Sequence, residues 1–386
     1  MSLPPPPQRG RQSPPVLVDD ALGEIFLRIP PDDPKSLVRA AAVCTTWRGI
    51  LSDAAFDRCY REFHGAPPVL GFLHNKRHER TYGKGRNKRR EAYLVSNFVS
   101  TASFRPPACH ERRHWHALDS RHGLALFHTP KRDEDFVVCD LVTYDRWRIN
   151  AISEFRTVIS NANDEDITWN AAVICAKEQC NHIYCHGGPF FVALVGSDEE
   201  KTFASFYSSV TRKWSGMISI DEPHAILMTG HSAVVGNKVY FHCEETESVV
   251  EYDMGEQELC VIDTPFESEL VDLVGVEDGM LLFTTLKNSR LYLLSMVAGP
   301  DGTKEWARCR VVNLEPLLPS HALLDVSVVG FAQGLGLIFL NTEAGLFTVE
   351  LASGRRKKVD GDTSFTKVMP YMSFFTKEWG RQPTSE

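Results

Sequence analysis

The chain has 386 residues, a length that fits one small domain joined to one large one at about 150 residues per ordinary domain. With 43% hydrophobic and 24% charged residues, its composition excludes global disorder, collagen and a fibrous coiled coil. The formal net charge of -8 disfavours a dedicated nucleic-acid binder, because such proteins usually carry a basic excess.

Both chain ends and the cysteines bear on where the protein works. Residues 1–16 hold six prolines and no apolar segment of a secretory signal, so they predict a disordered tail, and residues 376–386 are predicted to be a second tail. No apolar run approaches the roughly 18 to 20 residues of a membrane-spanning helix. Ten cysteines without an export signal indicate reduced thiols. We expect a soluble protein of the cytoplasm or nucleus that contacts no membrane.

Residues 17–64 have the periodicity of three or four short helices. Their predicted starts are Asp19 or Asp20, Asp33-Pro34, Thr45 or Thr46, and Ser52-Asp53. The apolar residues at helical spacing are Leu22, Ile25, Phe26 and Ile29, then Leu37, Val38 and Ala41, then Trp47, Ile50 and Leu51, and last Phe56, Tyr60 and Phe63. Because so small a bundle cannot cover all its apolar faces, the sequence predicts a partner.

The same segment, LVDDALGEIFLRIPPDDPKSLVRAAAVCTTWRGIL, resembles the F-box motif, which usually reads LPxDLLxEILxRLP followed by SLxRxxxVCxxWRxL. The resemblance covers about a tenth of the chain. Val18 replaces the usual proline and Ala21 the usual leucine, and both departures bear on how strongly an adaptor binds. The resemblance implies docking on a Skp-family adaptor, with these residues at the interface: Leu17, Ile25, Leu37, Val43, Cys44 and Trp47. The alternative is a helical hairpin that only packs on the second domain.

Residues 66–375 read as short apolar runs separated by turn signals, which predicts an all-β domain. Trp147, Trp214, Leu259 and Trp306 each follow a turn at matched positions, and the last two spacings are 45 and 47 residues. Repeats of 40 to 50 residues are typical of propeller blades, so we expect about six blades. The first spacing, 67 residues, leaves an irregular β-sandwich open as an alternative.

Several phrases of the β domain, HGLALF, SSVTRKW and VVGFAQGLGLIFLNTEAGLFTVEL, resemble the F-box-associated β domains of plant-type proteins. Together with the helical segment, they predict a small all-α F-box domain followed by a large all-β domain that is propeller-like.

Two glycine-containing fragments are similar to parts of a hydrolase site. His186-Gly187-Gly188 matches an oxyanion loop, and Gly230-His231-Ser232 begins a GxSxG nucleophile elbow. Val234 stands where the second glycine is needed, and the following residues read as turn and strand rather than helix. Ser232 is therefore interpreted as structural.

A cluster of metal-binding residue types lies between positions 175 and 186. Cys175, Cys180 and Cys185 with His182 and His186 are ligand types that zinc prefers. We expect the phrase NHIYCHG to be a strand, which would point His182 and Cys185 to opposite faces. The sequence thus favours buried thiols, with no metal and no cofactor.

Basic residues concentrate in two places. Residues 76–90 hold eight Lys or Arg and one Glu, which fits a nuclear signal, a grip on an acidic partner, or a solvated loop between strands. Residues 355–358 are expected to decorate an edge hairpin.

Taken together, the sequence favours a substrate receptor of an SCF-type cullin-RING ubiquitin ligase. The resemblance implies that the helices bind the adaptor, which is joined to a cullin scaffold, and that the β domain holds an unknown target protein. Such a receptor needs no catalytic residue. The alternatives are a scaffold that binds the adaptor without a cullin, and an esterase-like hydrolase on the β domain.

Overall fold

The structure is a computed structural model. It describes residues 18–82, 89–106, 115–129, 135–155, 168–177, 180, 185, 188–223, 230–243, 248–263, 271–298 and 304–374. Both predicted tails, and with them Leu17, lie outside the described residues. No helix among the described residues combines the length and the hydropathy needed to cross a membrane.

Four helices form at the start of the described chain, as predicted, and we call residues 18–64 the helical module. The helices are α1 (Asp19–Leu27), α2 (Pro34–Ala41), α3 (Thr45–Leu51) and α4 (Ala54–His64). Two of the predicted caps are wrong by one or two residues. Val18 precedes α1, and the backbone NH of Leu22 donates to its carbonyl. Cys44 is the N-cap of α3, and its Sγ accepts a hydrogen bond from the Trp47 backbone NH at 3.5 Å.

The apolar residues of the four helices pack into one small core. Phe26 meets Trp47 edge-on, with ring centroids 5.0 Å apart. Tyr60 is buried, and its hydroxyl donates to the Ile29 carbonyl at 2.7 Å, which ties α4 to the end of α1. The buried members of this core are Leu22, Phe26, Leu37, Ala40, Ala41, Leu51, Phe56, Tyr60 and Phe374.

The rest of the described chain forms six sheets of antiparallel strands. The first sheet joins the two ends of the β domain, since β1 (Val69–Tyr82) pairs with β2 (Arg89–Ser100) on one side and with β24 (Met369–Met372) on the other. The next sheet along the chain contains β3 (His116–Arg121), β4 (Leu124–Thr129), β5 (Asp135–Asp140) and β6 (Arg146–Ile149). We call the β3–β6 sheet blade 1 and the sheet with β24 blade 6.

Blades 2 to 5 follow in chain order. Blade 2 has five strands, β7 (Thr168–Cys175), β8 (Phe190–Ser197), β9 (Thr202–Ser208), β10 (Lys213–Trp214) and β11 (Ile218–Ile220). Blade 3 has β12 (Ser232–Val235), β13 (Lys238–His242), β14 (Ser248–Asp253) and β15 (Glu258–Asp263). Blade 4 has β16 (Asp272–Glu277), β17 (Met280–Lys287), β18 (Arg290–Ala298) and β19 (Lys304–Asn313). After a 3-10 turn (Ser320–Leu323), blade 5 has β20 (Val326–Ala332), β21 (Leu337–Thr342), β22 (Gly345–Glu350) and β23 (Arg356–Asp360).

The six sheets form the blades of a β-propeller. The innermost strands β3, β7, β12, β16, β20 and β24 each contact the next in a closed ring. Leu124 and Leu126 of β4 pack toward blade 2, whereas Ala125 and Phe127 pack toward blade 6. Because both faces of such a strand are covered by neighbouring blades, it reads as a continuous apolar run.

The predicted blade markers occupy equivalent positions. Trp147, Trp214, Leu259 and Trp306 lie in β6, β10, β15 and β19, the fourth strand of successive blades. The prediction of six blades is confirmed, and the β-sandwich alternative is wrong. The long first spacing arises because blade 2 carries two long connections, one before β7 and one between β7 and β8.

The helical module is joined to the ring by a side chain from the far end of the chain. Phe374 lies just after β24, is only 2% exposed, and is part of the helical core. The guanidinium of Arg61 lies 5.3 Å from the centroid of its ring, and Tyr60 meets the ring edge-on. A second contact is the hydrogen bond from the Lys35 backbone NH to Ser103 Oγ at 3.3 Å. The last described residue thus completes the core of the first helices.

Replacing Phe374 with Ala tests this junction. We expect a loss of about 3 kcal/mol in the local stability of the helical module, because the substitution leaves a cavity in a small core. Amide hydrogen exchange should become about 100-fold faster in α1 and α4. Phe347→Ala, in the core between blades 4 and 5, is the control that should leave exchange in α1 and α4 unchanged. Unchanged protection of α4 in Phe374→Ala would contradict the junction.

Candidate functional site

The helical module exposes a disproportionate share of the large apolar side chains. Nine large hydrophobic residues are exposed among the described residues, and five lie in the module: Val18, Ile25, Val38, Val43 and Phe63. The ring is much larger, yet it supplies only the other four. Exposed apolar side chains concentrated in one part of a fold are typical of an interaction surface.

Helical geometry explains how α1 carries both a core face and an exposed face. Leu22 and Phe26, four residues apart, are buried in the helical core. Val18 and Ile25, seven residues apart, share a different face and are 69% and 50% exposed. Ala21 lies between them along this face and is half-buried. The two departures from the F-box pattern, Val18 and Ala21, thus both lie along the exposed stripe.

The structure places the six predicted adaptor-binding residues in different environments. Ile25, Val43 and Cys44 are exposed. Trp47 is half-buried and packs against Phe26, so only part of its indole is accessible.

Leu37 is 5% exposed and belongs to the core between the helices, so it can affect a partner only through the packing of α2. The sixth residue, Leu17, lies outside the described residues.

A second candidate site is the central channel of the ring, which holds a cavity of about 290 Å³. The helical module covers one end of this cavity through Arg61, together with residues 65–67, which follow the module. The turns between the first and second strands of blades 1 and 5, at His122-Gly123 and Gln333-Gly334, line the same end. The module therefore lies on the face of the ring that carries these turns.

Charged side chains cross the channel between blades 1, 2 and 3. Asp119 Oδ2 accepts from Arg121 Nε at 2.9 Å and from the Val173 backbone NH at 3.0 Å. Arg121 donates in turn to Ser232 Oγ at 2.8 Å and to the Ser232 carbonyl. Since Asp119 and Arg121 are both largely buried, this pair is held by directed hydrogen bonds rather than by an exposed ion pair.

Lys367, just before β24, brings blade 6 into the same network. Its Nζ donates to the carbonyls of Leu118 and Gly230, each at 2.8 Å. Burial lowers the pKa of Lys367 to about 8, while the Asp119 carboxylate acts in the opposite direction. Asn170 Nδ2 also donates to Gly230 O at 3.1 Å, so one carbonyl joins blades 2, 3 and 6.

His231 and Ser232 are neighbours in the chain but do not form a catalytic pair. His231 Nε2 lies 3.0 Å from the Val329 carbonyl, and burial lowers the pKa of its ring to about 4. Ser232 begins β12, which continues through a turn into β13 instead of into the helix that a nucleophile elbow requires. The geometry fits the structural interpretation of Ser232. His186 and Gly187 of the predicted oxyanion loop lie outside the described residues.

The cysteine prediction needs a correction. Cys185 lies in the connection between β7 and β8 and not on a strand, so the alternation that was expected to separate the ligands does not apply. The Sγ atoms of Cys175, Cys180 and Cys185 instead lie within 4.8 Å of one another. His182 and His186 lie outside the described residues.

The basic segment at 76–90 is also organised differently from a simple loop. Its two ends belong to β1 and β2, which stay paired from Gly71 opposite Ser100 to Tyr82 opposite Arg89. Residues 83–88 lie outside the described residues. Lys76 Nζ pairs with Asp362 at 3.1 Å. The other basic run falls on the edge strand β23, as predicted.

The channel network escaped the sequence analysis. One local signal existed: Asp119 and Arg121 are two residues apart on β3, so their side chains share one face of the strand. Two opposite charges on the same face of a strand, followed directly by the largely apolar strand β4, indicate a buried pair. Lys367 and Gly230 carry no such signal, because they join the network only when the ring closes.

Comparison with known proteins leaves the family open. No protein-family profile matches the chain, and no curated protein matches it. Among solved structures, the extracellular domain of a one-component system from B. thetaiotaomicron matches at 12% identity and a TM-score of 0.33, over 64% of this chain and 27% of that one. A chain of the mitotic checkpoint complex matches at 10% identity and a TM-score of 0.36, over 71% of this chain and 70% of that one. The chain thus spans about a quarter of the first of these structures, and likenesses this distant carry no information on function.

Replacing Asp119 with Asn tests the channel network. The change leaves two buried cations, Arg121 and Lys367, without their carboxylate, and we expect a loss of about 3 kcal/mol in the free energy of unfolding. Urea denaturation followed by tryptophan fluorescence measures it. Asp362→Asn is the matched control, since it breaks the more exposed pair with Lys76 and should cost less than about 1 kcal/mol. Equal losses in the two variants would contradict the network.

Proposed function

We propose that this chain is the substrate receptor of an SCF-type cullin-RING ubiquitin ligase, whose helical module binds a Skp-family adaptor and whose ring binds the protein to be ubiquitinated. The proposal rests on the resemblance of the segment from Leu17 to Leu51 to the F-box motif. It is also supported by the fold, since a six-bladed propeller is compatible with a protein-binding scaffold.

The observation that carries the proposal is the exposure of large apolar side chains on the helical module, Ile25 and Val43 among them. Other side chains fill the helical core, including Phe374 from the end of β24. Ile25 and Val43 therefore have no role in packing the module. Because the two side chains are 50% and 61% exposed, burying the rest of each against a partner is worth about 1 to 1.5 kcal/mol. A helical adaptor surface with apolar pockets is the kind of partner that this face fits.

The ring supplies the target-binding part of the proposal. Loops of a propeller lie at its two faces, and one end of the central channel is covered here by the helical module. In this proposal the target protein binds the opposite face or the rim of the blades. Loops carried on a rigid scaffold are the usual location of recognition residues.

The proposed mechanism requires no chemistry from this chain. A receptor that holds target and ligase together raises the effective concentration of target lysines near the charged conjugating enzyme. The rate then rises because the target lysine is held in a productive position, without a catalytic side chain from the receptor. The junction at Phe374 serves this role, because it fixes the ring relative to the module that binds the adaptor.

Surface substitutions in the full-length chain test adaptor binding. Ile25→Asp and Val43→Asp place a charge on the exposed apolar face without changing the helical core. We expect each to weaken binding of a purified Skp-family adaptor by about 30-fold or more, as for an interface hot spot. Leu324→Asp, at a residue that is 79% exposed on the ring, is the matched control and should bind like the parent chain. Adaptor binding unchanged in both module variants, measured by calorimetry, would overturn the proposal.

A second experiment separates a ligase receptor from a scaffold that binds the adaptor alone. The full-length chain, with and without Ile25→Asp, is expressed in cells and recovered by affinity purification. We expect the parent chain to recover both adaptor and cullin, and the variant to recover neither while keeping its target proteins. Targets bound by the parent chain should accumulate when the proteasome is inhibited. Recovery of adaptor without cullin would favour the scaffold.

A further inference from the structure

The structure assigns a further site to the connection between β7 and β8, outside both the adaptor-binding face and the central channel. We propose that Cys175, Cys180 and Cys185 form a three-thiolate site for a zinc ion that holds this connection in place. The proposal is independent of the ligase function proposed above.

The first argument is the geometry of the sulfur atoms. All three Sγ atoms lie within 4.8 Å of one another. Zn–S bonds of about 2.3 Å in a tetrahedron put sulfur atoms about 3.8 Å apart, so a contraction of about 1 Å is enough to form the site. Among the described residues, no other group of three His, Cys, Asp or Glu side chains is arranged to share a metal.

The second argument is the shape of the connection. The turns between the first two strands of blades 1, 3 and 4 are two residues long, whereas residues 176–189 join β7 to β8. The backbone NH of Ala176 donates to the Pro189 carbonyl at 2.9 Å and closes the base of this connection. Ordering a connection of this length costs conformational entropy, and a bound metal is one source of order that small folds commonly use.

The three cysteines are placed so that a metal would tie the start of the connection to two points within it. Cys175 is the last residue of β7, Cys180 is five residues further, and Cys185 lies five residues before β8 begins. The Gly188 backbone NH donates to the Cys185 carbonyl at 2.9 Å. A Cβ on Gly188 would lie 3.0 Å from that carbonyl oxygen, so this close approach favours glycine.

The chemistry of the donors selects the metal. Thiolates are soft ligands, which favour zinc over magnesium or calcium. Cys185 is 4% exposed while the other two thiols are half-buried, so an ion can reach the cluster from the outside. None of the three forms a disulfide. Each S–H proton is released to solvent when a sulfur–zinc bond forms.

Three sulfurs occupy three corners of a tetrahedron. A water molecule or one further side chain completes the coordination, and the described residues do not assign it. The proposed site therefore has three named protein ligands, whereas the closed structural sites of zinc fingers have four.

Metal binding by the reduced full-length chain tests the site. The chain is stripped with a chelator, loaded with Zn²⁺, desalted and analysed for metal. We expect one zinc ion per chain, and an absorption band from sulfur-to-metal charge transfer when Co²⁺ replaces Zn²⁺. Cys175→Ser and Cys185→Ser should each weaken Zn²⁺ binding at least tenfold in competition with a chelating dye, because even outer partners of a metal contribute 10- to 100-fold.

Cys309→Ser, at an exposed cysteine on β19, is the matched control and should bind Zn²⁺ like the parent chain. Circular dichroism of each variant shows that the blades remain folded. A folded parent chain that retains no zinc overturns the proposal, as does equal zinc binding by Cys175→Ser and Cys309→Ser.

Discussion

The pairing of β1 with β24 is the constraint on which the rest of the structure depends. These strands come from opposite ends of the β domain, and together with β2 they form blade 6. Without this pairing, blades 1 and 5 would each leave an apolar face uncovered, because every core cluster of the ring lies between two neighbouring blades. The pairing also brings Phe374 beside α4, so one strand pair supports both the ring and the helical module.

Inside the closed ring, the channel concentrates charge where water is scarce. Asp119, Arg121 and Lys367 come from blades 1 and 6, and their hydrogen bonds reach backbone groups of blades 2 and 3. Burial alone opposes each charge, so the network is stable only when all its partners are present at once. The network therefore specifies how the blades pack, because its hydrogen bonds are satisfied only if the blades meet in the correct order and alignment.

Features that depend on local pattern could be predicted from the sequence. The four helices followed from their apolar spacing, and the blades followed from markers such as Trp147 and Trp214, because these signals repeat within each short segment. The role of Phe374 could not be predicted, since it depends on contacts across more than 300 residues. The cysteine residues were noticed in the sequence, but their proximity was not predicted. Strand alternation was expected to separate the ligands, and Cys185 itself does not lie on a strand.

The position of Phe374 also orders events during synthesis. The helices are made before the ring, yet their core lacks the aromatic ring of Phe374 until β24 has been made. A nascent or truncated chain that lacks β24 therefore has an open ring and a loosened module at the same time. In such a chain the module that presents Ile25 and Val43 is not rigid, and binding must supply the missing order. Completion of the propeller is thereby coupled to the order of the helical module, which lies hundreds of residues earlier in the chain.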